Sequence, residues 1–73
     1  MTLQEFAKCL PLFSNISYIQ LKGNCIFNGK YLNDILNSPL SKKDFIAALG
    51  DNDYNILDIT IRSAWLIITI EEI

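Results

Sequence analysis

The chain has 73 residues, of which 51% are hydrophobic and only 19% charged, with a formal net charge of −2 and no histidine. That length admits one core and no linker, so residues 1–73 read as a single domain. The slight negative charge leaves long-range attraction to phosphate backbones or anionic lipid weak, and the missing histidine removes the usual general base, the Ser-His and Cys-His pairs and most catalytic zinc sites.

Thr2 followed by Glu5 has the spacing of a capping box, and Leu3, Phe6, Ala7 and Leu10 then share one helical face. Pro11 ends that helix. From Ile16 to Lys22 the period changes to two: Ser17, Ile19 and Leu21 alternate with Tyr18, Gln20 and Lys22. Gly23-Asn24 is read as a two-residue turn, returning Cys25, Ile26 and Phe27 antiparallel beside that strand, and Asn28-Gly29 closes the hairpin. Tyr31, Leu32, Ile35 and Leu36 fall at helical spacings, which predicts a short helix over Lys30–Leu36.

Asn37-Ser38-Pro39 breaks that element. Ser41 with Asp44 repeats the cap spacing, Phe45, Ile46 and Leu49 form an apolar stripe, and Gly50 stands where a helix-ending glycine belongs. After a turn over Asp51–Asn55, two strands meet at a bend near Ser63-Ala64. In the first, Leu57, Ile59 and Ile61 oppose Asp58, Thr60 and Arg62, the alternation of a half-buried strand. In the second, Leu66, Ile68 and Ile70 make one face while Trp65 and Ile67 lie on the other, so it is covered twice or meets another molecule. These elements predict an α+β fold, a small two-layer sandwich with an antiparallel sheet of about four strands and helices on one face.

The sequence offers no catalytic, cofactor-binding or metal-binding residues, and the expected activity is non-enzymatic. Asp51, Asp53 and Asn55 match the first ligands of a calcium loop, but Ile56 and Arg62 occupy the places of its glycine and its bidentate glutamate. A solvated turn is the simpler reading. Gly23, Gly29 and Gly50 are scattered, so no phosphate-cradling loop exists. Lys42 and Lys43 at a helix start form at most a weak anion site. Cys9 and Cys25 form no CxxC motif and read as small buried hydrophobes, with a single disulfide as the alternative. Glu5 and Lys8 interrupt the first apolar segment, so no secretory leader is visible and a cytoplasmic setting with reduced thiols is expected. The longest apolar run, Ala64 to Ile68, falls far short of the ~20 residues of a membrane helix.

A domain this small hides only about 60% of the surface its unfolded chain exposes, so part of this large apolar content must face outward. Trp65, Ile67, Tyr18 and Tyr54 are the candidate partner-binding residues. Tyr and Trp dominate interface hot spots, Tyr18 shares a strand face with polar residues, Tyr54 is placed in a polar turn, and Ile67 has no second helical layer to cover it. Core packing is the competing role for each.

Thr2-Leu3, Glu5-Phe6, Ile26-Phe27 with Gly29, Asp34-Ile35-Leu36 and the closing Leu66-Ile67-Ile68-Thr69-Ile70 give the chain a layout similar to short accessory proteins of phages and conjugative elements of low-GC bacteria. That resemblance implies a protein acting by binding, such as an inhibitor of a host defence complex of the anti-CRISPR kind, and supplies no catalytic residue. The alternatives are a small regulatory or nucleic-acid-associated protein, which lacks the expected basic stripe, and a self-assembling phage structural subunit. The expected partner is a protein of unknown identity or a second copy of the chain, with neither a membrane nor a nucleic acid favoured.

Overall fold

A computed structural model describes residues 1–32 and 39–73. The capping box closes as its spacing implies: the Thr2 amide donates to Glu5 Oε1 at 3.0 Å and the Glu5 amide to Thr2 Oγ1 at 3.3 Å. Helix α1 spans Leu3–Cys9, and Leu10–Leu12 tighten into a 3₁₀ turn at Pro11. Helix α2, Lys42–Leu49, starts where Ser41 Oγ accepts from the Asp44 amide at 3.2 Å, and ends at Gly50 with φ 54°. Phe45 and Leu49 are buried as read, whereas Ile46 turns outward.

The larger sheet contains β1 (Tyr18–Lys22), β4 (Leu40–Ser41), β5 (Tyr54–Arg62) and β6 (Trp65–Glu72), in the order β4-β1-β6-β5. The α+β class holds, but the sheet is mixed and not antiparallel. β6 runs antiparallel to β5 and parallel to β1, with Ile19 opposite Leu66 and Leu21 opposite Ile68. β6 therefore lies between two strands, with Leu66, Ile68 and Ile70 buried on one face, while Trp65 on the other remains 40% exposed, so the strand is central without being covered twice.

Gly23 explains why the expected Gly23-Asn24 hairpin does not form. Its φ is +149°, and a Cβ there would stand 2.2 Å from the Ile70 carbonyl oxygen. The chain leaves β1 pressed against β6, which already occupies that side of β1. Cys25–Phe27 cannot return there.

The hairpin forms one turn later, where β2 (Ile26–Phe27) pairs with β3 (Lys30–Tyr31) across Asn28 and Gly29, at φ 50° and 79°. Two successive positive φ values are what a two-residue hairpin turn of this hand requires. Pairing through Lys30–Tyr31 removes the start of the helix expected over Lys30–Leu36, and the Leu32 amide donates to the Cys25 carbonyl at 3.0 Å. The remainder of that expected helix, 33–36, lies outside the described residues.

β5 and β6 join through Ser63-Ala64, with Arg62 opposite Trp65 and Ser63 at φ 54°. Ile56 opposes Ile70 and Asp58 opposes Thr69, so Leu57 is an extra residue, a β-bulge that switches the parity of β5. The buried residues of both helices join Ile19, Leu21, Leu66, Ile68 and Ile70 in one apolar cluster, with Phe45, Leu3, Ile19 and Ile68 wholly enclosed.

Candidate functional site

Two surfaces emerge from this arrangement. The first is the sheet face turned away from the core. Strand register sets Tyr18, Trp65 and Arg62 in one row, Gln20, Ile67 and Thr60 in the next, and Lys22, Thr69 and Asp58 in the third. Tyr18 and Trp65 meet edge to face with ring centroids 6.0 Å apart, and remain 44% and 40% exposed. That geometry suits the ring quadrupoles, and such a contact contributes about 0.5–1.5 kcal/mol beyond burial. Ile67 sits beside them, half-buried between its neighbours. Three of the four candidate partner-binding residues are thereby brought together, although Tyr18 and Trp65 are far apart in the chain.

Tyr54, the fourth, is placed elsewhere. It opens β5 instead of lying in a polar turn, is buried, and donates its hydroxyl to the Ile26 carbonyl at 2.8 Å. Its ring lies 5.6 Å from that of Phe27, which stacks on Phe45 at 6.4 Å. Tyr54 anchors the β2–β3 hairpin and offers no surface to a partner. Burial pushes its phenol pKa up.

The second surface was misread in the sequence. Leu57, Ile59 and Ile61 are 58%, 37% and 63% exposed, not the buried side of a half-buried strand. Ile59 opposes Ile68 and Ile61 opposes Leu66, so both point to the core side of the sheet. α1 meets β5 near its start, where Thr2 bridges Asn55, and the far half of the strand extends beyond the apolar cluster.

Several polar groups of the candidate motifs are committed to structure. Asp53 Oδ1 accepts from the Gln4 amide at 3.0 Å and the Tyr54 amide at 2.9 Å, while Gln4 Nε2 donates to the carbonyls of Gly50 and Asn52. The bond from the Gln4 amide holds the Asp53 carboxyl below its usual pKa. This carboxylate caps a helix brought from the other end of the chain, which accounts for the calcium-like turn without an ion. Lys42 Nζ donates to the Phe13 carbonyl, which uses up half of the supposed anion site. Cys9 and Cys25 are both free, and burial raises the pKa of the Cys25 thiol, opposing thiolate formation. Among the described residues no three His, Cys, Asp or Glu side chains gather as a metal site. Among those same residues no helix is long and apolar enough to cross a membrane.

What stands out among the described residues is apolar and aromatic surface. The chain matches no protein-family model, curated protein or solved structure.

The sequence did carry one signal that the alternation pattern obscured. Asp58-Ile59-Thr60-Ile61-Arg62 reads alike in both directions apart from the sign of its ends. Antiparallel pairing of such a strand with itself would set its opposite charges against each other.

Proposed function

We propose that this chain is a small non-enzymatic protein-binding module, acting in the cytoplasm, that docks through the sheet face formed by Tyr18, Trp65 and Ile67. The observation that carries this is the exposed Tyr18–Trp65 pair. Two large rings already in contact lose less side-chain entropy when a partner covers them than two free ones, and Trp and Tyr are the residues that most often dominate such contacts. The resemblance to short phage and mobile-element proteins suggests the kind of partner: a bacterial host defence complex, blocked by occupation of its surface.

The same rings, with Arg62 in their row and Lys22 two rows away on the same face, also resemble a platform on which unpaired bases stack, and this favours a second reading as a nucleic-acid-associated protein. The net charge of −2 and the Asp58 carboxylate on that face weigh against it.

The test expresses the chain in a bacterium with active CRISPR interference and measures plasmid transformation. Wild type should restore transformation, and Trp65→Ala should weaken the effect, with about 30-fold loss of affinity for the purified target complex. Ile67→Glu should abolish binding while its thermal midpoint shows the fold retained. Inhibition untouched by either substitution would remove this face from the function. Salt-sensitive binding of single-stranded oligonucleotides, lost in Trp65→Ala, would favour the second reading.

A further inference from the structure

We propose that β5 pairs with β5 of a second copy of this chain, antiparallel and centred on Thr60, so that the two sheets join into one across a two-fold axis. β5 is the last strand of its sheet. Its outer edge is occupied at one end, where Thr2 bridges Asn55 and the Ile56 amide donates to the Met1 carbonyl at 3.2 Å. Past the Leu57 bulge the edge from Asp58 to Arg62 meets no strand among the described residues, and the Ser63-Ala64 turn ends it. Thr60 is the midpoint of that open stretch. A long edge with alternate exposed isoleucines is a template for another strand unless something blunts it, and here the bulge and Met1–Thr2 protect only its start.

The charges select the occupant and the register. Antiparallel pairing about Thr60 sets Asp58 opposite the partner's Arg62 and Arg62 opposite the partner's Asp58 on one face. On the other face Ile59 meets the partner's Ile61, and Ile61 the partner's Ile59. Within one strand Asp58 and Arg62 stand about 13 Å apart, too far to pair, whereas direct cross-strand neighbours approach to about 5 Å between Cβ atoms. Centring on Ile59 would set Arg62 against Ile56, and centring on Ile61 would set it against Thr60. Parallel in-register pairing would oppose like charges. A second copy of this strand is thus complementary to it in one arrangement, in length, polarity and charge. The pairing uses a strand edge and leaves the Tyr18–Trp65 face open, so it stands or falls separately from the proposed function.

The test is the mass in solution of the full chain by light scattering and sedimentation, from about 10 μM to about 1 mM, the range in which small interfaces associate. Wild type should pass from monomer to dimer. Asp58→Arg and Arg62→Asp should each weaken the dimer about tenfold by opposing like charges at both symmetry-related sites, and the double variant should restore it. Mixing the two single variants should give a heterodimer, because each then carries the charges that the other lacks. A second readout needs no substitution: amide exchange between Asp58 and Arg62 in the wild type should slow as concentration rises. A wild type that stays monomeric at about 1 mM would overturn the proposal. So would a dimer indifferent to both charge changes, or one lost in Ile67→Glu but retained in Asp58→Arg.

Discussion

Asp53 shows how one carboxylate can join distant parts of a small fold. Its Oδ1 takes the Gln4 and Tyr54 amides together, supplying a partner to α1 and fixing the start of β5. Glu5 acts locally, its pKa lowered by its bond from the Thr2 backbone as Asp53's is by the bond from Gln4. Both carboxylates bind protons less readily in the folded chain than in the unfolded one. Their stabilisation is therefore complete above their ordinary values, 4.5 for Glu5 and 3.8 for Asp53, and is lost as pH falls through the lowered folded values. Asp53→Ala should lower the thermal midpoint at neutral pH, and its deficit against wild type should narrow as pH falls towards about 2. Melting curves across that range check this, and a deficit independent of pH would mean that the charge is not what the amides bind.

At the scale of elements, glycines separate two kinds of turn. Gly23 meets the Ile70 backbone, while Gly29 has open space around it and serves only the positive φ of the β2–β3 turn. Gly23→Ala should therefore cost about 3 kcal/mol or more, since β1 and β6 must part to admit a methyl group, and Gly29→Ala about 1 kcal/mol for conformation alone. Urea denaturation of both variants measures the difference. Equal losses would show that the approach of Gly23 to β6 is relieved at little cost. The bulge at Leu57 belongs to this scale too. Ahead of it Ile56 shares a face with Ile70, and beyond it Ile59 and Ile61 face the core side, so a single inserted residue decides which side chains of the edge strand are left open.

For the whole molecule, β6 is the element on which the others depend. It lies between β1 and β5 and supplies Leu66, Ile68 and Ile70 to the cluster. A chain ending at Ala64 should remain unfolded, with a disordered far-ultraviolet circular dichroism spectrum, because β1 and β5 would each lose the strand that separates them. A folded spectrum would locate the stabilising core in the helices and β4. The radius of gyration, 11.1 Å, is about the 11 Å expected of a compact chain of this length. Ile59 and Ile61 lie outside the apolar cluster, as expected of a small domain that buries only part of its apolar surface.

Features set by neighbours in the chain were legible in the residues: the Thr2 and Ser41 caps, the stop at Pro11, the Gly50 helix end, the Ser63-Ala64 bend, and the opposed faces of β6. Each depends on bonds or sterics spanning a few residues. The Tyr18–Trp65–Ile67 face was legible in part, because alternation assigns sides within a strand but does not say which strands are neighbours. Tertiary structure alone decided the parallel contact of β1 with β6, the burial of Tyr54 under the hairpin, the use of Asp53 as a cap for α1, and the exposure of Ile59 and Ile61. All four depend on groups distant in sequence competing for the same space or the same hydrogen bond, and local periodicity holds no record of that competition.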